Sequence, residues 1–187
     1  MCIRDRINLF RKVKKNTFRP INIPKFDKSI DDRCKKNNWF KLKKKPDILI
    51  LEGWCVGAKP ENNKSLNRPI NVLEKNADNK KIWRSYVNNQ LKLKYSKLFD
   101  QLDSLLYLKA KNFKLLKRWR LKQEKKLKMK SGTKKNSKIM SEKEVETFMM
   151  TYQRITQNMF KNAPKYSSAI IDLNESHQIK KVKFKHA

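Results

Sequence analysis

Eleven residues, DILILEGWCVG at positions 47–57, constrain the fold of this 187-residue chain more than any other segment. Residues 48–51 form a continuous apolar run that is too short to span a membrane and has the length of a strand buried on both faces. The run ends in an acid, Glu52, followed by Gly53. A buried strand that delivers a carboxylate to its carboxyl end is typical of ligand sites in open α/β sheets. The alternative is a strand that merely ends in a surface charge.

The other segments predict strands that alternate with long helices, which indicates an α/β fold with a mostly parallel sheet flanked by helices. Further strands are predicted at residues 21–27, 104–108, 168–173 and, at the sheet edge, 178–184. Helices are predicted at residues 1–17, 79–102 and 113–130, and after a capping box formed by Ser141 and Glu144. A polar link is predicted at residues 130–138. The apolar stripe expected to face the core from the helix at 79–102 consists of Trp83, Val87, Leu91, Tyr95, Leu98 and Leu102.

The length of the chain is that of a single domain, residues 1–187. Its sequence shows no run near the roughly 20 apolar residues of a transmembrane helix and no secretory signal, so we expect a cytoplasmic protein without a membrane partner. Cys2, Cys34 and Cys55 are far apart, and no pair has the spacing of a zinc site or a redox motif. We therefore expect reduced thiols and no metal-ligand cluster.

The net charge of +31 would suit a polyanion such as nucleic acid. However, the chain has 38 lysines and only 10 arginines, and the lysines are spread along its whole length. Nucleic-acid sites use Arg more heavily, because its guanidinium makes bidentate contacts. We interpret most of the charge as compositional bias, and a basic nucleic-acid-binding module remains the alternative. The charge would still attract an anionic substrate such as ATP.

Seven segments in order resemble bacterial and plant D-glycerate 3-kinases, a branch of the phosphate-loop kinases related to uridine kinase and phosphoribulokinase. In those kinases a strand-end acid works beside Mg²⁺ and nucleotide phosphates. The segments cover nearly everything after the first helix. They are IPKFDKSIDDR at 23–33, ILEGWCVGAKP at 50–60, PINVLEKNAD at 69–78, WRSYVNNQL at 83–91, LFDQLDSLLYLKA at 98–110, WRLKQEKKL at 119–127 and MSEKEVETF at 140–148.

The resemblance implies transfer of a phosphoryl group from ATP to a hydroxyl of D-glycerate. It assigns Glu52 to Mg²⁺, directly or through water. Asp27 matches an acceptor-side loop and would orient the glycerate hydroxyls, with an ordinary turn Asp as the alternative. Lys28 or Arg33 would pair with the glycerate carboxylate. Trp54 is expected to be a pocket wall or core filler.

Residues 111–139 resemble the lid of these kinases, and Arg118 and Arg120 would reach the ATP phosphates when the lid closes. Arg120 matches the Trp-Arg pair of the family. Two residues apart on a helix, the two arginines should point in different directions, so that Arg118 is either a second phosphate ligand or a solvated side chain.

The chain contains no Gly-x-x-x-x-Gly-Lys-Ser/Thr sequence, the loop with which this family cradles phosphates. Its first six residues, MCIRDR, look like a translated sequencing adapter. We therefore expect an N-terminally truncated kinase, inactive by itself. The alternatives are a kinase-like protein without catalysis and a relative that acts on another small hydroxylated acceptor. The sequence does not indicate an oligomeric state.

Overall fold

A computed structural model of the chain describes residues 3–27, 32–131 and 139–185. Two compact units are formed, one within Met1–Val56 and Gln90–Asp103 and the other within Gly57–Asn89 and Ser104–Ala187. Residues 132–138 of the predicted polar link lie outside the described residues. The elements are α1 Ile3–Lys14, β1 Ile21–Ile23, β2 Phe26–Asp27, β3 Asp32–Arg33, β4 Phe40–Leu42, α2 Val72–Asn76, α3 Ile82–Gln90, a π-helical turn Leu91–Tyr95, α4 Ser96–Phe99, β5 Leu106–Lys109, α5 Phe113–Ser131, α6 Glu142–Tyr166, β6 Ala169–Leu173 and β7 Ile179–Phe184, with 3₁₀ turns at Lys36–Asn38 and Asn63–Asn67.

The first unit has a small apolar core under helix α1. Leu9 and Val13 of α1 pack with Ile21 of β1, and partly buried side chains cover them: Phe18, Ile23, Leu42 and Leu49. Strand β1 pairs antiparallel with β4, and β2 pairs antiparallel with β3. The helix predicted at the start of the chain is therefore present, and its apolar spacing packs it against the β1–β4 ladder.

The second unit has a three-stranded mixed sheet in the order β5-β6-β7. Strands β5 and β6 are parallel, and β7 pairs antiparallel with β6 as an edge strand. Parallel neighbours need a long crossover connection, which here contains α5 and α6. Tyr107 is buried, whereas Leu106 and Leu108 are exposed. The strand predicted at 104–108 is therefore present as β5, but only one of its faces is covered within the described residues.

Helix α6 begins at the predicted capping box. The Ser141 hydroxyl accepts a hydrogen bond from the Glu144 backbone N–H at 3.3 Å, and the Glu144 carboxylate accepts one from the Ser141 backbone N–H at 2.7 Å. This reciprocal pair satisfies two N–H groups that the first turn of a helix leaves without partners. Val145 and Met149 follow on the buried face of the helix.

Helix α3 buries polar residues instead of the predicted apolar stripe. Trp83 is 67% exposed and Val87 is also exposed, while Arg84 and Asn88 are buried. The Asn88 amide accepts a hydrogen bond from the Glu61 N–H at 2.8 Å and donates one to the Glu61 carbonyl at 3.0 Å. The stripe prediction is wrong for Trp83 and Val87, because the segment facing α3 offers backbone polar groups, which need polar partners when they are buried. Two later members of the stripe, Leu91 and Leu98, are buried as predicted.

Arg154 of α6 is the centre of a buried ionic network in the second unit. Its guanidinium donates to both carboxylate oxygens of Glu74, at 2.8 and 2.6 Å, and to the Glu61 carboxylate at 3.0 Å. It also donates to the carbonyls of Ser65 at 3.2 Å and Arg68 at 2.8 Å. These five bonds use all five guanidinium donors. The network therefore attaches the largely irregular chain between residues 61 and 74 to α6.

Arg84 and Asp78 form a second buried pair next to this network. The Asp78 carboxylate accepts hydrogen bonds from the backbone N–H groups of Trp83, at 2.9 Å, and Arg84, at 3.0 Å, which caps the start of α3. The Arg84 side chain also donates to the Leu66 carbonyl at 2.7 Å and to the Asp78 carboxylate at 3.1 Å.

Two carboxyl groups in these networks have lowered pKa values. Burial raises the pKa of Glu74, but hydrogen bonds from Arg154 and the Ile70 N–H, with the charges of Arg154 and Arg84, outweigh burial and hold this pKa below its usual range. Burial likewise raises the pKa of Asp78, and the Trp83 and Arg84 N–H groups, with the Arg84 charge, bring this pKa below its usual range. Both groups are therefore stabilised as anions in the folded chain.

Among the described residues, no helix combines the length and the apolar composition that spanning a membrane requires.

Replacing Arg154 by Met should lower the free energy of unfolding by about 3–5 kcal/mol, because the change leaves the buried Glu74 carboxylate without its cation. Urea denaturation followed by circular dichroism would measure the loss. Lys161→Met, on the exposed side of α6, is the matched control and should change the free energy by less than about 0.5 kcal/mol. Equal effects of the two substitutions would contradict a stabilising role of the network.

The stability of the chain should also fall in acid. The contribution of Glu74 and Asp78 is fully present above their unfolded pKa values of 4.5 and 3.8, and it is lost as pH falls through the lower folded values. Urea denaturation between about pH 6 and pH 3 should therefore show a falling free energy of unfolding. Glu74→Gln should make this dependence shallower, whereas Glu142→Gln, at an exposed position of α6, should leave it unchanged. An unchanged slope in Glu74→Gln would contradict the assignment.

Candidate functional site

A short hairpin in the first unit carries Asp27. Strands β2 and β3 pair Phe26 with Arg33 and Asp27 with Asp32. One further hydrogen bond, from the Cys34 N–H to the Lys25 carbonyl at 2.9 Å, extends the ladder. The Trp39 indole N–H donates to the Cys34 carbonyl at 2.8 Å. Both peptide groups of Cys34 are thereby held in place.

A cavity of about 520 Å³ opens beside this hairpin. Its lining residues are Lys25, Phe26, Asp27, Cys34 and Asn38. The volume lies in the usual range for small-molecule sites, and the lining combines a cation, a carboxylate, an amide and an aromatic ring. Of the predicted acceptor-side residues that the structure describes, Asp27 lines this cavity and Arg33 does not.

The two cations predicted to bind the acceptor carboxylate are placed differently. Arg33 makes an ion pair with Asp5 of α1 at 2.8 Å, and both side chains remain partly exposed. Arg33 is not among the residues that line the cavity. Lys28 lies outside the described residues.

The segment before Glu52 is not the predicted buried strand. Residues 48–51 have no strand pairing, and Ile48 and Ile50 are 78% and 81% exposed. Leu49, on the opposite side of the segment, packs against the core under α1. The strand prediction is wrong for the described chain because a strand requires a neighbour that supplies hydrogen bonds. Glu52 itself is exposed, and it makes no hydrogen bond or ion pair with the described residues.

A turn follows Glu52 and contains Trp54, which is partly exposed. Cys55 has a positive φ of 64° and Gly57 one of 78°. A Cβ added at Gly57 would lie 2.7 Å from a methyl carbon of Leu105, so that the Leu105 side chain would have to move. The positive φ of Gly57 is the stronger reason for glycine at this position.

Arg118 and Arg120 lie on α5 in the second unit, and both are paired with carboxylates. Arg118 donates to Glu175 at 2.6 Å, and the two side chains are 56% and 62% exposed. Arg120 forms an ion pair with Glu124, whose side chain is 7% exposed, and its guanidinium lies 5.5 Å from the centre of the Phe148 ring. The two arginines therefore point to different partners, and the Arg118 pair is the more accessible to an anion.

The residues of the second unit also fix the position of Arg118. The Trp119 indole N–H donates to the Glu175 carbonyl at 2.9 Å, and the Trp119 ring lies 4.0 Å from the His177 ring, centre to centre. The hydrogen bond from Arg118 and its charge hold the pKa of Glu175 below its usual range. Glu175 thus remains an anion facing Arg118 at neutral pH.

Sequence reasoning missed four residues of the cavity: Lys25, Phe26, Cys34 and Asn38. The signal that would have found two of them is the pairing of β2 with β3, which places Lys25 opposite Cys34. In the described part of the chain, no group of three or more His, Cys, Asp or Glu residues is arranged to hold a metal ion.

Comparison with known proteins gives one curated relative and several solved structures. The chain is 32% identical over 151 residues to the uncharacterized kinase mug58 of Schizosaccharomyces pombe, a match that covers 78% of this chain and 51% of mug58. It thus spans about half the length of that relative. No protein-family model matches the chain.

Two solved structures have a similar fold. The D-glycerate 3-kinase from Cryptococcus neoformans var. grubii has a TM-score of 0.73 at 20% identity, covering 98% of this chain and 65% of that one. The YGR205w protein has a TM-score of 0.68 at 23% identity, covering 97% of this chain and 63% of that one.

The mixed sheet with its helical crossover and these likenesses define an α/β protein with the fold of a kinase. Within that class, the resemblance to the D-glycerate 3-kinases read from the sequence segments is confirmed.

Proposed function

We propose that this chain is part of an ATP-dependent kinase that phosphorylates D-glycerate. The fold shared with a solved D-glycerate 3-kinase supports the class of reaction. The observation that supports a small hydroxylated acceptor is the cavity beside the β2–β3 hairpin, because Asp27 lines it together with other polar residues.

Asp27 is proposed to accept a hydrogen bond from an acceptor hydroxyl and so to orient it. Arg33 would bind an acceptor carboxylate only if it gave up its ion pair with Asp5. This exchange would cost little, because both side chains of the pair are partly exposed. Lys28 is proposed as a second cation for the acceptor carboxylate. Trp54 is proposed to form a wall of the substrate site.

Glu52 is proposed to hold Mg²⁺. This ion is usually bound through one or two carboxylates together with water and substrate phosphates, so that a single exposed carboxylate fits this mode. When bound, Mg²⁺ neutralises charge on the phosphate oxygens. The exposed, unpaired state of Glu52 among the described residues supports this role, since its carboxylate need not leave another cation.

Arg118 and Arg120 are proposed to bind the ATP phosphates. Each would exchange a carboxylate for a phosphate, and the exposed Arg118–Glu175 pair would exchange more readily than the buried Arg120–Glu124 pair. Glu124 also accepts a hydrogen bond from the Met140 N–H at 3.1 Å and so helps to fix the chain just before α6. These contacts favour Arg118 as the first phosphate ligand, in contrast to the sequence, which favours Arg120.

The test is a coupled assay of ADP release with Mg-ATP and D-glycerate. A longer protein that contains this chain together with a phosphate-cradling loop should be active, whereas the 187-residue chain alone should be inactive, because its sequence contains no such loop. Removal of a phosphate-binding arginine, by Arg118→Ala or Arg120→Ala, should lower turnover on the order of 10³-fold.

The matched control is Lys126→Ala, an exposed cation on the same helix, which should keep nearly full turnover. Glu52→Gln should lower turnover and raise the Mg²⁺ concentration needed for half-maximal rate. Full activity of Glu52→Gln would overturn the metal assignment. If the longer protein shows no D-glycerate-dependent turnover, a kinase-like protein without catalysis or a kinase with a different acceptor would be favoured.

A further inference from the structure

The cavity beside the β2–β3 hairpin presents two opposite charges to one small volume. Lys25 supplies an ammonium group and Asp27 a carboxylate, and Asn38 adds an amide that both donates and accepts. A ligand that carries one carboxylate and at least one hydroxyl complements this set, because its carboxylate faces the cation and its hydroxyl donates to the acid. A neutral polyol satisfies only the second of these contacts.

The register of the hairpin places Lys25, Asp27 and Cys34 close together. Residues i and i+2 of a strand share a face, and directly opposed residues of antiparallel strands share it as well. Asp27 is two residues from Lys25, and Cys34 lies opposite Lys25 through the hydrogen bond of 2.9 Å between them. Lys25, Asp27, Asp32 and Cys34 therefore share one face of the short ladder, and Phe26 and Arg33 share the other. The cavity is lined by Lys25, Asp27 and Cys34 from the first face and by Phe26 from the second, whereas Arg33 does not line it.

Two contacts fix the wall that carries Cys34. Its N–H is bonded to Lys25, and its carbonyl accepts the Trp39 indole N–H at 2.8 Å. The Cys34 thiol is half-buried at the edge of the cavity. A ligand in the cavity would therefore cover this thiol and slow its reaction with an external reagent.

We propose that Lys25 is the residue that recognises the carboxylate of the acceptor in this cavity, so that the site selects small hydroxy acids over neutral polyols. The inference rests on the proposed function for the identity of the acceptor. In this site Asp27 binds a hydroxyl, Asn38 binds a second polar group, and Cys34 forms part of the wall. Lys25 acts in specificity and takes no part in phosphoryl transfer.

Thiol protection tests the site in the 187-residue chain without requiring catalysis. The rate of alkylation by iodoacetamide is measured separately at Cys34 and Cys55 by peptide mass spectrometry. D-glycerate at about ten times its dissociation constant should slow alkylation of Cys34 roughly tenfold. Glycerol at the same concentration should leave the rate unchanged. Cys55, a half-buried thiol that does not line the cavity, is the internal control.

Lys25→Met should weaken the protection by D-glycerate about tenfold or more, because it removes a charge-assisted hydrogen bond. Lys25→Arg, which keeps the charge, should retain much of the protection. Lys41→Met, an exposed cation of β4 outside the cavity, should behave like the unchanged chain. Equal protection by D-glycerate in Lys25→Met, or equal protection by glycerol, would overturn the proposal.

A kinetic measurement keeps this proposal separate from the proposed function. In a longer protein that contains this chain together with a phosphate-cradling loop, Lys25→Met should raise KM for D-glycerate about tenfold or more and leave KM for ATP unchanged. Turnover of D-glycerate with an unchanged KM in Lys25→Met would overturn the role of Lys25 alone. Lys25-dependent protection of Cys34 without any phosphoryl transfer would overturn the kinase function and leave the binding site in place.

Discussion

The bidentate pair between Arg154 and Glu74 is the interaction on which the second unit depends most. Placing two charges in a partly buried position costs free energy, and good geometry with full hydrogen bonding must offset that cost. Here all five donors of Arg154 have acceptors within 3.2 Å. A lysine could not reproduce this arrangement, because its ammonium is a point charge with three donors. The irregular segment 61–74 thus has its position fixed by a side chain from α6.

The few acids of this basic chain are largely committed to structure. The sequence has 17 Asp and Glu residues against 48 Lys and Arg, and ion pairs in the described residues use many of them. These paired acids are Asp5, Glu61, Glu74, Asp78, Asp103, Glu124, Glu146, Asp172 and Glu175. Glu52 is one of several exposed acids for which no ion pair with the described residues is present, as are Asp47 and Asp100.

Local signals in the sequence predicted local structure well. The capping box at Ser141 and Glu144 marks the start of α6, and α1 lies within the helix predicted at residues 1–17. Features that depend on distant partners could not be predicted in the same way. Residues 48–51 have strand composition, yet pairing decides whether they form a strand. The buried face of α3 is polar because Arg84 and Asn88 form hydrogen bonds with backbone groups distant in sequence. The spacing of apolar residues in α3 carries no information about those groups.

The candidate site shows the same division between local and distant information. The sequence singled out Asp27 through the resemblance, but Lys25, Cys34 and Asn38 are recognised only once β2 is paired with β3 and the cavity is defined. The proposed carboxylate-binding cation is Lys25, which lines the cavity, whereas Arg33 does not. Arg33 lies in the alternate register position and is engaged by Asp5, whereas Lys25 shares the face of Asp27. Because side chains alternate between the two faces of a strand, Lys25 and Arg33 lie on opposite faces of the hairpin. The proposal assigns the acceptor carboxylate to Lys25, whereas the sequence favoured Lys28 or Arg33.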